Sequence, residues 1–188
     1  SFNSANASVS VAEARLQNVL LKQNNSAKFN FGDEQIFDSQ AIWFQGFETS
    51  ASQENVGDSV GYNYSNRGVA IGVDQEIAED LRLGISASLA NAEVKSNSIN
   101  KKETDIDSYQ FNLYSGYDFA PYFISGILGV AVNKYKSTRA MPDLGLTASA
   151  KYGGQTYIAK FETGMIKQVY YGLIITPQIS LTAAQNQI

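Results

Sequence analysis

The stretch Arg67-Gly-Val-Ala-Ile-Gly-Val-Asp-Gln-Glu-Ile-Ala-Glu-Asp-Leu-Arg-Leu-Gly-Ile-Ser-Ala-Ser-Leu-Ala90 consists of two alternating runs joined by a short polar turn. In the first run Val69, Ile71 and Val73 alternate with Gly68, Ala70, Gly72 and Asp74. In the second, Leu81, Leu83, Ile85, Ala87 and Leu89 alternate with Arg82, Gly84, Ser86, Ser88 and Ala90. Period-two alternation of this length predicts strands with two unlike faces. One face is uniformly aliphatic, and the other is small or polar and carries both Asp74 and Arg82. A soluble sheet normally buries its aliphatic face and turns a large, charged one to water. Here the polar face lacks bulk, as though something stands against it. A transmembrane barrel has that arrangement, with lipid outside and a narrow polar lumen inside.

Outward from this pair, the same alternation recurs in seven segments, near 41–49, 66–76, 81–94, 106–117, 122–135, 155–165 and 171–183. Most reach the length of about 9–11 residues that a tilted strand needs to cross a bilayer, whereas soluble strands run to about 5–6. The register places Ile42, Phe44, Phe111, Leu128, Phe161, Leu173, Ile175, Ile179 and Leu181 on the lipid side. It turns Gln45, Gln110, Asn112, Asn133, Lys160, Glu162 and Thr176 inward. The connections alternate in length: polar and long around 50–65, 95–105 and 136–154, short around 77–80, 118–121 and 166–170. Such a rhythm predicts antiparallel, up-and-down strands with the long loops outside the cell and tight turns on the periplasmic side. Tyr117, Phe119, Tyr122, Tyr170 and Tyr171 sit near strand ends, where interfacial girdles belong.

The totals agree with one domain. The chain has 188 residues, 17% charged and 12% aromatic, with no histidine and no cysteine. Missing thiols exclude a disulfide scaffold, and missing histidine removes the commonest base and metal ligand. A net charge of -4 with no dense basic cluster argues against nucleic acid. No apolar run approaches the ~20 residues of a membrane-spanning helix. A mean hydropathy of -0.20 is compatible with a membrane barrel, because only alternate residues meet lipid.

Ahead of the strands, Ser1 to Ser8 reads as a disordered linker. Ser10-Val-Ala-Glu13 fits a capping box that opens a helix over 9–23. Its apolar stripe is Ala12, Leu16, Val19 and Leu20; Arg15, Asn18 and Lys22 form another face. Residues 24–40 read as a polar connector and 41–188 as a barrel domain.

No nucleophile elbow, triad or P-loop is present, so the chain is not expected to be an enzyme and no cofactor or metal is expected. Gly153-Gly154 reads as a strand-opening turn, and Asp105 with Asp107 as a solvated strand end that could share a cation. Alternation puts Asp74, Arg82, Lys160 and Glu162 in the lumen. They form either a structural ion-pair network or a receptor for the helix, with Asp74 and Glu162 taking Arg15 and Lys22. A helix is about 10 Å across, and small lumenal residues such as Gly84, Ser86, Gly116 and Gly129 leave room for one. Asn24-Asn25 could cleave the chain by side-chain attack on its own carbonyl, or simply cap the helix.

The helix, the strand Ile42-Trp-Phe-Gln-Gly-Phe47, the pair quoted first, Asp107-Ser-Tyr109, Leu113-Tyr-Ser-Gly-Tyr117, Phe161-Glu-Thr-Gly164 and Pro177-Gln-Ile-Ser-Leu181 together resemble the translocator domain of autotransporters, the type V secretion family. The resemblance implies a twelve-stranded outer-membrane barrel with a helix threaded through its pore and an N-terminal passenger at the cell surface. It implies outer-membrane lipid, the passenger and the barrel assembly machinery as partners, and an association with virulence. It further implies that residues 1–8 end the passenger and that this chain is a fragment lacking the last strands. The alternatives are a small porin or adhesin-type barrel without a passenger, and a soluble ligand-binding barrel.

Overall fold

The computed structural model describes residues 2–24, 35–37, 40–55, 60–98, 102–141, 145–169 and 173–187. Among these residues one helix, α1 (Phe2–Asn24), precedes ten strands. These are β1 (Gln35–Phe37), β2 (Gln40–Gln53), β3 (Tyr62–Ala78), β4 (Leu81–Ser96), β5 (Lys102–Phe119), β6 (Tyr122–Met141), β7 (Leu146–Met165), β8 (Lys167–Gln168), β9 (Ile174–Ile175) and β10 (Gln178–Gln187). The main sheet follows chain order, β1-β2-β3-β4-β5-β6-β7-β10, and every pair in it is antiparallel. Short hairpins make that order the natural one, because antiparallel neighbours need only a tight turn between them. The sheet curls around α1, which touches every strand from β2 to β7.

The opening stretch is the hairpin β3–β4. Its turn is Glu79-Asp80, with Asp80 at φ 62°, a left-handed conformation that aspartate tolerates. A bulge between Glu76 and Ala78 ends the regular pairing. From there the faces separate as expected. Val69, Ile71, Val73, Leu83, Ile85 and Leu89 are exposed, and Ala70, Gly72, Asp74, Gly84, Ser86 and Ser88 are buried. The same register holds on β5, β6 and β7, where Phe111, Leu128 and Phe161 face out and Gln110, Asn112, Asn133 and Glu162 are buried. On β6 the outward apolar set runs from Tyr122 to Val132. Ten residue steps at about 3.4 Å give about 34 Å along the strand. At a tilt of about 45° this is about 24 Å of height, the span of an outer-membrane barrel's apolar band. At its tight-turn end Tyr117 stacks on Phe119, and Phe119 meets Tyr122 at a tilt, with centroids 5.7 and 5.8 Å apart. Tyr170 and Tyr171 lie outside the described residues.

Four expectations need correction. The helix begins at Phe2 rather than at residue 9, and Ser10 is no cap: its Oγ donates to the Asn6 carbonyl at 3.0 Å in mid-helix. Small residues explain the extra turns, since Ala5 and Ser8 bury fully against the wall. The connector holds a short strand, β1, whose backbone pairs with the start of β2. The long connections are shorter than the polarity suggested. The β6–β7 ladder continues to Met141↔Leu146, and the Tyr135 and Tyr152 rings stack 4.7 Å apart within it. Beyond the membrane a strand loses its apolar alternation but keeps its backbone pairing, so composition alone reads it as loop. Finally, the segment 171–183 is broken. Leu173 and Ile175 are exposed but belong to the β8–β9 ribbon or its edge, and β10 starts only after Pro177, which has no N–H to give a ladder.

Candidate functional site

The lumen and its helix form the largest assembly of side-chain hydrogen bonds among the described residues. Val9, Ala12 and Leu16 bury one side of α1 against Trp43, Ala70, Tyr114, Ile127 and Ile158. Val19 is half-buried, and the side chain of Leu20 lies outside the described residues. The small wall residues do less to house the helix than expected. Gly116 meets it directly, since a Cβ there would lie 3.2 Å from Leu16 Cδ2. Gly84, by contrast, lies flat beneath the Tyr114 ring, which reaches across the wall. Aromatic rings therefore occupy part of the space and bring their polar ends to the centre.

Asp74 is where those ends converge. Its side chain is fully enclosed. Oδ2 accepts from Arg15 Nε at 2.9 Å and from the Tyr114 hydroxyl at 3.1 Å; Oδ1 accepts from Arg82 Nη1 at 2.6 Å. Trp43 Nε1 in turn donates to the Tyr114 oxygen at 2.7 Å. Arg82 also stands 3.7 Å from Glu76. On the facing wall Lys160 Nζ donates to Glu13, and Gln17 Nε2 donates to Glu162 Oε1 at 2.9 Å. Higher up, the Ser8 and Ser88 hydroxyls bond at 2.6 Å, and Asn112 Nδ2 donates to Ser8 and Ser86, each at 3.2 Å.

Arg15 thus meets Asp74, and among the described residues Glu162 accepts from Gln17. Lys160 pairs with an acid of the helix, not with Glu162. Asn18 is exposed. The side chains of Lys22 and Asn24, and all of Asn25, lie outside the described residues. Sequence reading missed Glu13 and Gln17, an i,i+4 pair on one helix face, because Glu13 was assigned to the cap. It also missed Trp43 and Tyr114, although alternation against exposed Ile42, Phe44 and Leu113 places both inward.

These contacts give α1 a direction. Gln17 meets Glu162 in the row nearest the short turns; Arg15 and Glu13 meet the next row, Asp74 and Lys160; Ser8 meets Ser88 further up. The N-terminus of α1 therefore points toward the long connections. Reversing charge at Arg15 is expected to set a carboxylate against buried Asp74 and release α1. Limited proteolysis should then cut α1 in Arg15→Glu at least tenfold faster than in the native protein; an unchanged rate would show that the pair does not hold the helix.

At the strand ends, the Glu93, Glu103 and Asp105 carboxylates gather within 4.8 Å. Lys95 stands among them, 2.7 Å from Glu93 and 3.4 Å from Glu103. Asp107 accepts from Asn91 instead.

An aliphatic outer face, a polar inner face and an ordered helix between the walls define a membrane β-barrel domain with an occupied lumen. Residues 42–188 match the autotransporter beta-domain family, and the chain belongs to it. Domains of this family are generally non-enzymatic transporters, and this one resides in the outer membrane. It is 25% identical over 185 residues to outer membrane protein A of Rickettsia rickettsii, covering 92% of this chain and 8% of that protein. It is 26% identical over 178 residues to the putative surface cell antigen sca1 of Rickettsia conorii, covering 92% of this chain and 9% of that one. The chain thus spans less than a tenth of these relatives. The fold is shared with the translocator domain of NalP from Neisseria meningitidis, at a TM-score of 0.67 and 14% identity over 97% of this chain and 61% of that one. It is shared too with the beta domain of the Bordetella autotransporter BrkA, at 0.64 and 16% over 80% and 59%.

Proposed function

We propose that this domain anchors a passenger attached N-terminal to α1 and helps export it to the cell surface, after which α1 stays in the pore and seals it. The observation that carries this reading is the direction of α1. A chain leaving its N-terminus emerges opposite the tight turns at 79–80 and 120–121, on the side where the β5–β6 and β6–β7 hairpins run on beyond the apolar band, and in outer-membrane barrels that side faces outward. The role is structural and involves no catalytic step. Outer-membrane lipid covers the aliphatic face, and the barrel assembly machinery inserts the domain. Arg15, Glu13 and Gln17 act as the plug's anchors, and Asp74, Lys160 and Glu162 as their receptors.

Single-channel conductance in planar bilayers tests this. Deleting residues 2–24 from the full-length protein is expected to raise mean conductance at least several-fold, because α1 packs against the inner face of β2 to β7. Equal conductance with and without the helix would favour the porin-type alternative, in which α1 lies elsewhere.

A further inference from the structure

We propose that the outer face of β6–β7, immediately above the apolar band, binds a phosphorylated headgroup of an outer-leaflet lipid. Lys134 lies two residues beyond Val132, about 7 Å further along the strand. Its ammonium stands 5.5 Å from the centroid of Tyr109, the ring at the upper edge of the band. Gly153 is directly opposite Lys134, and Lys136 is directly opposite Lys151. All four positions point outward, in step with Val130 and Val132 on β6 and with Tyr157 on β7. A Cβ at Gly153 would meet only a backbone oxygen, at 3.7 Å, so the ground between the lysines is open. It belongs to a cleft of about 690 Å3.

Two lysines directly opposite on adjacent strands repel each other and destabilise the sheet. Among the described residues no carboxylate lies within ion-pair distance of Lys134, Lys136 or Lys151. The acids of the same cleft lie directly opposite two of the bases, Asp107 across from Lys134 and Asp105 across from Lys136, but they engage other partners: Asp107 accepts from Asn91 Nδ2 at 3.0 Å, and Asp105 gathers with Glu93 and Glu103. On its β7 side Lys136 faces only Lys151, so that edge of the cleft carries two bases with no acid between them. A phosphate seated over Gly153 would accept from all three ammonium groups and remove the repulsion. Its position at the rim of the apolar band selects a lipid headgroup, because the acyl chains attached to it would lie along the exposed Val130–Val132 face.

This inference rests on the outward orientation of the long connections used above. Binding in micelles depends on neither the pore nor α1, so its failure is separable from a failed conductance result. The full-length protein in dodecyl maltoside micelles would be titrated with diphosphoryl lipid A, with lipid A stripped of phosphate, and with inorganic phosphate alone. Native protein is expected to prefer diphosphoryl lipid A at least tenfold over the stripped form. K134Q/K136Q/K151Q should lose that preference, while K95Q/K102Q should keep it. Heat-modifiable gel mobility reports whether each variant is folded. Lys151→Gln alone supplies a second readout: its unfolding temperature should exceed that of the native protein without lipid A and fall below it with lipid A. Undiminished preference in the triple variant, an equal loss in K95Q/K102Q, or displacement of the lipid by millimolar inorganic phosphate would each overturn the proposal.

Discussion

Replacing Asp74 with alanine is expected to destabilise the folded domain by about 3–5 kcal/mol, the range for breaking a buried ion pair from one side. The cost comes from what is left behind. Arg15 and Arg82, with side chains only 11% and 17% exposed, would face each other with no shared counter-charge, and the Tyr114 hydroxyl would lose its acceptor. Two features pull the value toward the lower limit: Arg82 keeps Glu76 nearby, and neither guanidinium is wholly enclosed. Urea unfolding in micelles, followed by heat-modifiable mobility, measures the loss. Asp74→Asn should fall between, since an amide oxygen still accepts but carries no charge. Contact between the two residues predicts non-additivity. Combining Asp74→Ala with Arg15→Ala should cost less than the two separately, by more than about 1 kcal/mol. A sum of single effects would mean that Arg15 and Asp74 act independently and that α1 is held by its apolar stripe.

Asp74 also marks how far sequence alone reaches. Its side of the wall followed from parity, because a one-residue slip would bury Val73 and expose the charge. The pairing with Arg15 was legible for the same reason: an amphipathic helix offers a base, and the lumen offers an acid. The contacts of Gln17 with Glu162 and of Glu13 with Lys160 were not. Parity turns Lys160 and Glu162 inward, but which turn of a helix meets which row of a wall depends on how deep the helix sits. That depth is set by shape, through Leu16 against Gly116 and Ala5 and Ser8 against the upper wall. Those small residues also explain the misplaced helix start, since Asn, Ser and Ala without an apolar stripe carry no helical period. Pairing above the membrane was hidden too, because a strand whose two faces both meet water leaves no alternation to read. The Lys136–Lys151 opposition became visible only with the register.

Placing arginine at Leu128 is expected to cost about 2–4 kcal/mol, because that position lies near the middle of the apolar band, where a lipid-facing charge is most expensive. Leu128 is 60% exposed, so the substitution creates no cavity and no clash within the sheet. Almost the whole effect would therefore arise from lipid, which makes this position a clean reporter of which face meets the membrane. Val132 provides the depth control. It lies four residues further along the same strand and on the same face, at the rim beneath Lys134, where arginine should cost only about 0–1 kcal/mol. The difference between Leu128→Arg and Val132→Arg, measured by unfolding in phospholipid bilayers and again in aqueous micelles, separates depth from generic disruption. Lipid contact requires the difference to be larger in bilayers, whose hydrocarbon has a fixed thickness, than in micelles that can deform around the charge. Equal costs at the two positions in bilayers would move the apolar band off this face and, with it, the assignment of the small polar face to the lumen.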